Sequence, residues 1–250
     1  MSPDFSEDRL LGGRVLLRQP KSGYRAAIDP VLLAASLDPK PGQHVLDIGC
    51  GAGAAALCLL ARRPDLTITG IEIQPDLADL ARRNAALNGV SERFQIIEGD
   101  IASLRLHKGR LEARFDHAMS NPPFLPPGRG NAPPDASRAL AHVEGEADLP
   151  AWTAFAASVL PHRGTLTLIH RADRLTDLLA ALARVRLGSV TVFPLWPHAG
   201  TAAKRVLVRA AKGGKAPLVL SPGLMLHGAD GGFTHAAESV LRDAAALKMG

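Results

Sequence analysis

Two observations predict an α/β fold for this 250-residue chain, with a mainly parallel sheet, helices on both faces and a terminal antiparallel hairpin. Short β-branched runs alternate with helical stretches between residues 44 and 185, which is the pattern of parallel strands joined by crossover helices. The last two strand-like runs, residues 189–195 and 204–210, have no convincing helix between them, which indicates an antiparallel pair.

The individual elements can be assigned in order along the chain. Residues 9–18 mix apolar residues with Gly12 and Gly13, which predicts a short hairpin. Residues 31–37 predict a short helix, with Pro30 at its first position and Asp29 able to cap its N-terminus. Further strands are predicted at residues 44–48, 66–73, 93–98, 115–120 and 164–170. Helices are predicted in the alanine-rich stretch ending at residue 61 and at residues 75–88, 152–160, 175–185 and 235–247.

The bulk composition restricts the class of protein. With 46% hydrophobic and 21% charged residues, the chain has the composition of a folded soluble protein with one core. No apolar run approaches the roughly 18 residues that cross a bilayer, and the polar N-terminus does not resemble a secretion signal, so we expect a cytoplasmic protein without membrane contact. The spacing of Cys50 and Cys58 matches no usual zinc motif and the histidines are scattered, so we expect no metal.

Basic residues are concentrated toward the C-terminus. From residue 160 onward there are 12 lysines and arginines against 5 aspartates and glutamates, whereas the net charge of the whole chain is +5. A phosphate backbone would be attracted to such a region, and a solvated basic surface explains the same counts equally well. RNA is therefore one candidate partner.

A glycine turn follows the first strand of the predicted parallel sheet. Residues 47–53 read Asp-Ile-Gly-Cys-Gly-Ala-Gly, and the glycines let a ligand approach the main chain. The turn also fits a dinucleotide fingerprint that ends at Ala54. Asp47 argues against a pyrophosphate because like charges repel, and it would attract a sulfonium ligand with a free ammonium group. The alternative for Asp47 is a structural carboxylate that caps the turn.

Two further carboxylates lie at the ends of the next two strands. Glu72 ends the second strand, where it can accept hydrogen bonds from both ribose hydroxyls, and Asp100 ends the third, where it can accept one from an adenine amine. Ligands of open α/β sheets bind beyond the carboxyl ends of the strands. Any one of these acids could be a solvated loop residue, but three at successive strand ends predict a nucleoside site.

The fourth strand leads into Asn121-Pro122-Pro123-Phe124, at the start of a proline- and glycine-rich loop over residues 121–147. The Asn121 side-chain oxygen and the Pro122 carbonyl can each accept one proton of a planar amino group, which directs its lone pair toward a methyl donor. Phe124 offers a flat face on which a base can stack. In isolation these residues could be a structural Pro-Pro turn, but their position after a fourth strand favours a transfer site.

Together these motifs resemble the class I methyltransferases of the N6-adenine type, whose signatures are a D-x-G-x-G-x-G turn and an (N/D)-P-P-(Y/F/W) motif. The chain is similar to the bacterial tRNA adenine-N6 methyltransferase family that modifies the adenine beside the anticodon of a valine tRNA. Residues 28–33, 204–208 and 233–238 match further segments of that family. Phe124 in place of the commoner tyrosine and Ile28 in place of threonine are departures from it.

The resemblance implies a Rossmann-like class I methyltransferase fold with a seven-stranded sheet, S-adenosylmethionine as cofactor, and RNA, in particular tRNA, as partner. It implies one methyltransferase domain, with a catalytic core at residues 41–211 and extensions at residues 1–40 and 212–250. The implied catalytic residues are Asn121, Pro122 and Phe124, and the implied substrate-binding residues are Pro123 and Phe124. The excess of basic residues toward the C-terminus makes Lys204 and Arg205 further candidates for substrate binding, through phosphate contacts. The implied cofactor-binding residues are Asp29, Asp47, Gly49, Cys50, Gly51, Gly53, Glu72, Ile73, Asp100, Ile101 and Asn121.

Other functions remain open at this stage. A protein glutamine-N5 methyltransferase of release factors could hold an amide in the same loop, although that family usually carries a helical N-terminal domain and about 40 residues precede the first core strand here. A ribosomal RNA guanine-N2 methyltransferase would present the same amine geometry. A nicotinamide oxidoreductase is disfavoured by Asp47. A non-catalytic RNA-binding module that retains the cofactor fold is disfavoured by the intact Asn121.

Overall fold

The structure is a computed structural model that describes residues 5–21, 25–106, 114–122 and 148–250. The strands are β1 Phe5–Leu10, β2 Val15–Pro20, β3 His44–Ile48, β4 Thr67–Glu72, β5 Phe94–Glu98, β6 His117–Ser120, β7 Thr165–Arg171, β8 Leu187–Trp196, β9 Arg205–Lys212, β10 Val219–Leu220 and β11 Leu224–Met225. The helices are α1 Asp29–Ser36, α2 Ala54–Arg62, α3 Pro75–Leu87, α4 Ile101–Leu106, α5 Leu149–Val159, α6 Leu175–Arg184 and α7 His235–Leu241.

The main sheet has the predicted topology. Its strand order is β5-β4-β3-β6-β7-β9-β8, and the short strands β10 and β11 pair with the outer side of β8. The strands from β5 to β7 are parallel, whereas β9 is antiparallel to both β7 and β8. The predicted mainly parallel seven-stranded sheet with a terminal antiparallel pair is therefore confirmed. β10 and β11 were not predicted, because two residues are too few to show a period.

The two parallel neighbours of β3 lie on opposite sides of it, and this determines where a ligand can bind. β4 pairs with one side of β3 and β6 with the other, so a crevice opens between the carboxyl ends of β3 and β6. Asp47 lies on β3 and Asn121 follows β6 directly. The sheet order thus brings the glycine turn and the Asn-Pro motif to the same crevice.

Apolar side chains cover both faces of the sheet. One cluster is formed by the hairpin, α1, α2, α3 and α7, and the other by α4, α5 and α6. Neighbouring residues of one strand point into different clusters, as Val45 and Leu46 of β3 do. Residues from both predicted extensions belong to the first cluster, and the three-part division of the chain stays a prediction.

The N-terminal hairpin, formed by β1 and β2, docks on a helix through two asparagines of α3. Asn84 Oδ1 accepts a hydrogen bond from Arg18 N and its Nδ2 donates to Arg18 O, both at 2.9 Å. Asn88 Oδ1 likewise accepts from Leu16 N at 2.9 Å, and Asn88 Nδ2 donates to Leu16 O at 2.7 Å. Two side-chain amides one helical turn apart therefore pair with alternate residues of β2, as a neighbouring strand would.

Two local expectations about helix ends are wrong. The C-terminal helix ends at Leu241 rather than at residue 247, because Ala244 adopts a left-handed φ of 61°. The later apolar residues that suggested a longer helix are buried in extended chain, and Leu247 N donates to Ala35 O. Asp29 is the first residue of α1 and makes no capping bond, since its carboxylate pairs with Arg205.

No helix in the described ranges has the length and apolar character needed to span a membrane.

We expect Asn84→Ala to lower the free energy of unfolding by about 3 kcal/mol or more, because this fully buried side chain makes three hydrogen bonds and its loss leaves partly buried backbone groups of Arg18 and Ala52 without partners. Asn88→Ala is the matched control, with an expected loss of about 1 kcal/mol, since Asn88 is only half-buried. Urea denaturation of both variants measures the difference. Equal losses would contradict a special role for Asn84.

Candidate active site

The turn at residues 49–53 is held by several elements of the fold. Gly49 N and Cys50 N both donate to Ile71 O of β4, at 2.8 and 3.0 Å. Asn84 Nδ2 donates to Ala52 O at 2.9 Å, which connects the turn to α3 and through it to the hairpin. The turn is therefore rigid before any ligand arrives.

Glycines are required in this turn for two different reasons. Gly49 has a φ of +71°, and a Cβ there would lie 2.5 Å from the Trp152 ring of α5. Gly51 has a φ of +56°, but nothing lies within 4 Å of the place where its Cβ would be. Gly49 thus packs against the protein, whereas Gly51 faces open space that a ligand can occupy.

Asp47 is a buried carboxylate, 2% exposed, beneath this turn. The backbone N–H of Ala56, in the first turn of α2, favours the charged form and so lowers the pKa of Asp47, while its Oδ2 has no hydrogen-bond partner among the described atoms. Burial, followed by repulsion from Glu72, raises the pKa of Asp47 to about 7. Asp47 therefore lies close to the start of α2, and its Oδ2 is available to a cation.

Glu72 binds the turn from the end of β4. Its Oε2 accepts from Gly51 N at 2.8 Å and its Oε1 accepts from Gln74 N at 2.9 Å. Burial raises the pKa of Glu72, and the backbone donors oppose that rise. Each carboxylate oxygen retains a lone pair, so Glu72 can still accept hydrogen bonds from a ligand.

A pocket at the crevice brings together several of the predicted residues. It is lined by Gln19, Pro20, Ala26, Pro30, Asp47, Gly49, Cys50, Gly51, Ala52, Ala54, Ala55, Leu77 and Asn121. The cofactor candidates of the turn thus share one cavity with the catalytic candidate Asn121. Ser120 Oγ donates to Ile48 O at 2.7 Å, which fixes the end of β6 beside the end of β3.

Other predicted cofactor residues lie outside this lining. Glu72 and Asp100 are at the ends of β4 and β5, and the Asp100 carboxylate accepts from Ala102 N at 3.0 Å in the first turn of α4. Ile73 follows Glu72 and is 57% exposed, whereas Ile101 is buried. Gly53 precedes α2 with a φ of +88°, where a Cβ would meet the Phe94 ring at 2.8 Å.

Two residues predicted for different roles bind each other. Arg205 Nε lies 3.1 Å from Asp29 Oδ2, although the cofactor was expected to contact Asp29 and RNA to contact Arg205. Lys204 is exposed. Pro122 is buried next to Asn121, and the predicted substrate-binding residues Pro123 and Phe124 lie outside the described residues.

Sequence reasoning missed three residues of the site. Asn84 is fully buried and Trp152 packs against Gly49, while Gln19 accepts from Ala26 N at 2.6 Å and lines the pocket. A signal existed for Asn84, since it lies at helical spacing from Leu77, Leu80 and Ala81 on the apolar face of α3. Gln19 and Trp152 had no such signal.

Both cysteines are buried, and their surroundings disfavour the thiolate form. Burial raises the pKa of Cys58 to about 12, and burial with repulsion from Asp47 raises the pKa of Cys50. Across the described segments, no three histidine, cysteine or acidic side chains are grouped so that they could hold a metal ion.

Comparisons with known proteins agree with this geometry. Residues 26–132 match the family model of the methyltransferase small domain. A tRNA1(Val) (adenine(37)-N6)-methyltransferase of Porphyromonas gingivalis is 39% identical over 186 residues, 72% of each chain. A release factor glutamine methyltransferase of Chlorobaculum tepidum is 37% identical over 45% of this chain and 38% of its own. A solved structure described as a predicted O-methyltransferase, from Agrobacterium tumefaciens, has a TM-score of 0.72 at 28% identity and covers 88% of this chain and 98% of its own.

We expect Asp47→Asn to stabilise the ligand-free protein, and more so at pH 8 than at pH 5. The pKa of Asp47 is about 7 in the folded state and near 3.8 when unfolded, so folding becomes less favourable as the pH rises from 4 to 7. Above pH 7 this cost is on the order of 4 kcal/mol, and an amide removes it. Thermal denaturation at the two pH values measures the effect. An equal change in Tm at both pH values would show that Asp47 ionises normally in the folded protein.

Proposed function

Because this chain belongs to the family of bacterial tRNA1(Val) (adenine(37)-N6)-methyltransferases, we propose that it transfers the methyl group of S-adenosylmethionine to the N6 amine of an adenine in tRNA. The observation that carries the proposal is the position of Asn121 in the pocket lined by Asp47 and the glycine turn. An amide oxygen there can bind an amine beside the methyl donor. Adenine 37, the target named for the relatives, is the first nucleotide to test.

The residues at the crevice fit the cofactor. The unpartnered Asp47 Oδ2 suits an ammonium group, and the open side of Gly51 leaves room for a ligand against the main chain. Glu72 suits the ribose hydroxyls, and the exposed side chain of Ile73 beside it suits the flat face of an adenine. Asp100 at the end of β5 is the candidate acceptor for the adenine amine. When bound, the cofactor supplies an electron-poor methyl carbon attached to sulfur.

The protein acts by holding the amine rather than by removing a proton first. The Asn121 oxygen and the Pro122 carbonyl would accept hydrogen bonds from the two N–H groups, so the nitrogen lone pair would point at the methyl carbon. Transfer would break the bond between that carbon and sulfur, and the methylated amine would release one proton to solvent. Phe124 remains the predicted stacking partner of the target base.

The alternatives are supported by weaker observations. The release factor methyltransferase aligns with less than half of this chain, whereas the tRNA methyltransferase aligns with 72% of it. For RNA contact, Lys204 is a better candidate than Arg205, because Asp29 already neutralises Arg205. A tRNA substrate also supports our proposal that the enzyme is cytoplasmic.

We expect Asn121→Ala to lower kcat by about 100-fold or more, because one of the two acceptors of the amine is lost. Affinity for S-adenosylmethionine should change by less than about threefold, since Asp47 and the turn remain. Asn121→Asp keeps an acceptor oxygen and should retain more activity than the alanine variant. Single-turnover methylation and cofactor titration measure these effects. Wild-type turnover by Asn121→Ala would remove Asn121 from the mechanism.

The substrate is tested by offering a labelled methyl donor to tRNA, ribosomal RNA and release factors in parallel. We expect label in tRNA, recovered as N6-methyladenosine, and no label in tRNA whose adenine 37 has been replaced. Label in a glutamine of a release factor, or in a guanine of ribosomal RNA, would replace the proposed function with one of the alternatives.

A further inference from the structure

A groove lies next to the cofactor pocket, between the N-terminal hairpin and the C-terminal segment. Its volume is about 710 Å³. One wall includes Arg9 and Arg25 from the N-terminal part of the chain, and the other includes Phe233 and Arg242. Gln19 and Ala26 line both this groove and the cofactor pocket, so the two cavities are adjacent. A substrate bound beside the methyl donor therefore lies next to the groove.

The walls of the groove are tied to each other and to the core. The Arg14 guanidinium donates to Leu11 O at 2.9 Å and to Arg242 O at 2.6 Å, which bridges hairpin and C-terminal segment. Arg62 of α2 donates to Ala244 O at 3.0 Å from the core side. These hydrogen bonds fix the positions of both walls, so the shape of the groove is determined by the fold.

The groove is basic. Three arginines and one acidic residue are among its lining side chains. Arg25 pairs with that acid, Asp8, at 2.7 Å, and Arg242 lies 3.4 Å from Glu238. Arg9 is exposed and pairs with no carboxylate in the described part of the chain. Arg9 therefore offers an available positive charge beside the cofactor pocket, as a phosphate group requires.

Three aromatic rings continue the groove toward solvent. Phe233 stacks on His227, with ring centroids 4.7 Å apart and planes 21° apart, and His227 lies 5.3 Å from His198 at 34°. Phe233 lines the groove, whereas His198 is exposed. We call Phe233, His227 and His198 the ring stack.

The ring stack is mounted at the carboxyl end of β8. Leu226 N donates to Trp196 O at 2.8 Å and His227 N donates to Pro197 O at 3.0 Å. Since β8 runs in the same direction as the central strands, its carboxyl end belongs to the sheet edge that carries the glycine turn and Asn121. The free face of His198 is therefore presented on the side of the molecule where substrate is modified.

We propose that the groove and the ring stack together bind unpaired nucleotides that flank the target adenine, with Arg9 on a phosphate and a base stacked on His198. This rests on the proposed function, since it takes the substrate to be RNA. Aromatic rings bind bases only where the bases are unstacked, as in a loop, and an adenine must itself be unpaired to reach a methyl donor. The groove thus selects a single-stranded loop over a duplex.

The test compares the double variant Arg9→Ala/His198→Ala with the control His162→Ala/Arg184→Ala. The control removes the same side-chain types, also exposed, from the opposite edge of the sheet. We expect the first variant to raise KM for tRNA about tenfold and to weaken the binding of a single-stranded RNA oligonucleotide by a similar factor. Arg9→Ala alone should reduce the salt dependence of RNA binding by about one phosphate contact. S-adenosylmethionine affinity and kcat at saturating tRNA should match those of the control.

The outcomes separate this inference from the proposed function. If the wild-type protein methylates tRNA and the double variant keeps its KM and its affinity for the single-stranded oligonucleotide, the groove inference is wrong and the function stands. Equal effects of the variant on single-stranded and duplex RNA would also overturn it. If the wild-type protein methylates no RNA, the proposed function fails. Comparing the oligonucleotide affinities of the two double variants then still tests whether the groove binds RNA. Loss of binding to an acidic peptide, with RNA binding unchanged, would identify a protein as the occupant.

Discussion

The position of the glycine turn at residues 49–53 is the constraint on which the rest of the site depends. β4 holds it through Ile71 O and the Glu72 carboxylate, and α3 holds it through Asn84. Aromatic rings from β5 and α5 pack where side chains at positions 53 and 49 would lie. Every neighbouring layer therefore fixes the turn, and its one open position, Gly51, is the place left for a ligand.

This rigidity comes with an electrostatic cost. Asp47 and Glu72 are 2% and 5% exposed, burial raises the pKa of both carboxyls, and repulsion from Glu72 raises the pKa of Asp47 further. Among the described residues no cationic side chain is hydrogen-bonded to either carboxylate, and Glu72 accepts from the backbone N–H groups of Gly51 and Gln74. A ligand with an ammonium group supplies the missing positive charge, so the ligand-free site is less stable than the site in use.

Much of this could be predicted from the sequence because the signals are local. A strand, a glycine turn and an acid at a strand end are each visible within ten residues, and the order of strands follows from the βαβ pattern. The Asp29–Arg205 pair could not be predicted, because it joins residues 176 positions apart. The C-terminal helix was predicted too long for a related reason. Leu247 is buried because it contacts α1 from a segment that lies beyond the helix. The spacing of its apolar residues in the sequence resembles that of a helix, which led to the longer prediction.

The docking of the hairpin on α3 also bears on association between chains. A two-stranded sheet normally exposes unpaired N–H and C=O groups along both of its edges, and such edges recruit strands of other molecules into aggregates. Here the outward backbone groups of Leu16 and Arg18 are already used by Asn88 and Asn84. The other edge, β1, carries three consecutive charged residues, Glu7, Asp8 and Arg9. The asparagines of α3 satisfy the backbone groups of one edge, and the charged side chains of β1 disfavour strand pairing at the other. Both features protect the hairpin from intermolecular pairing.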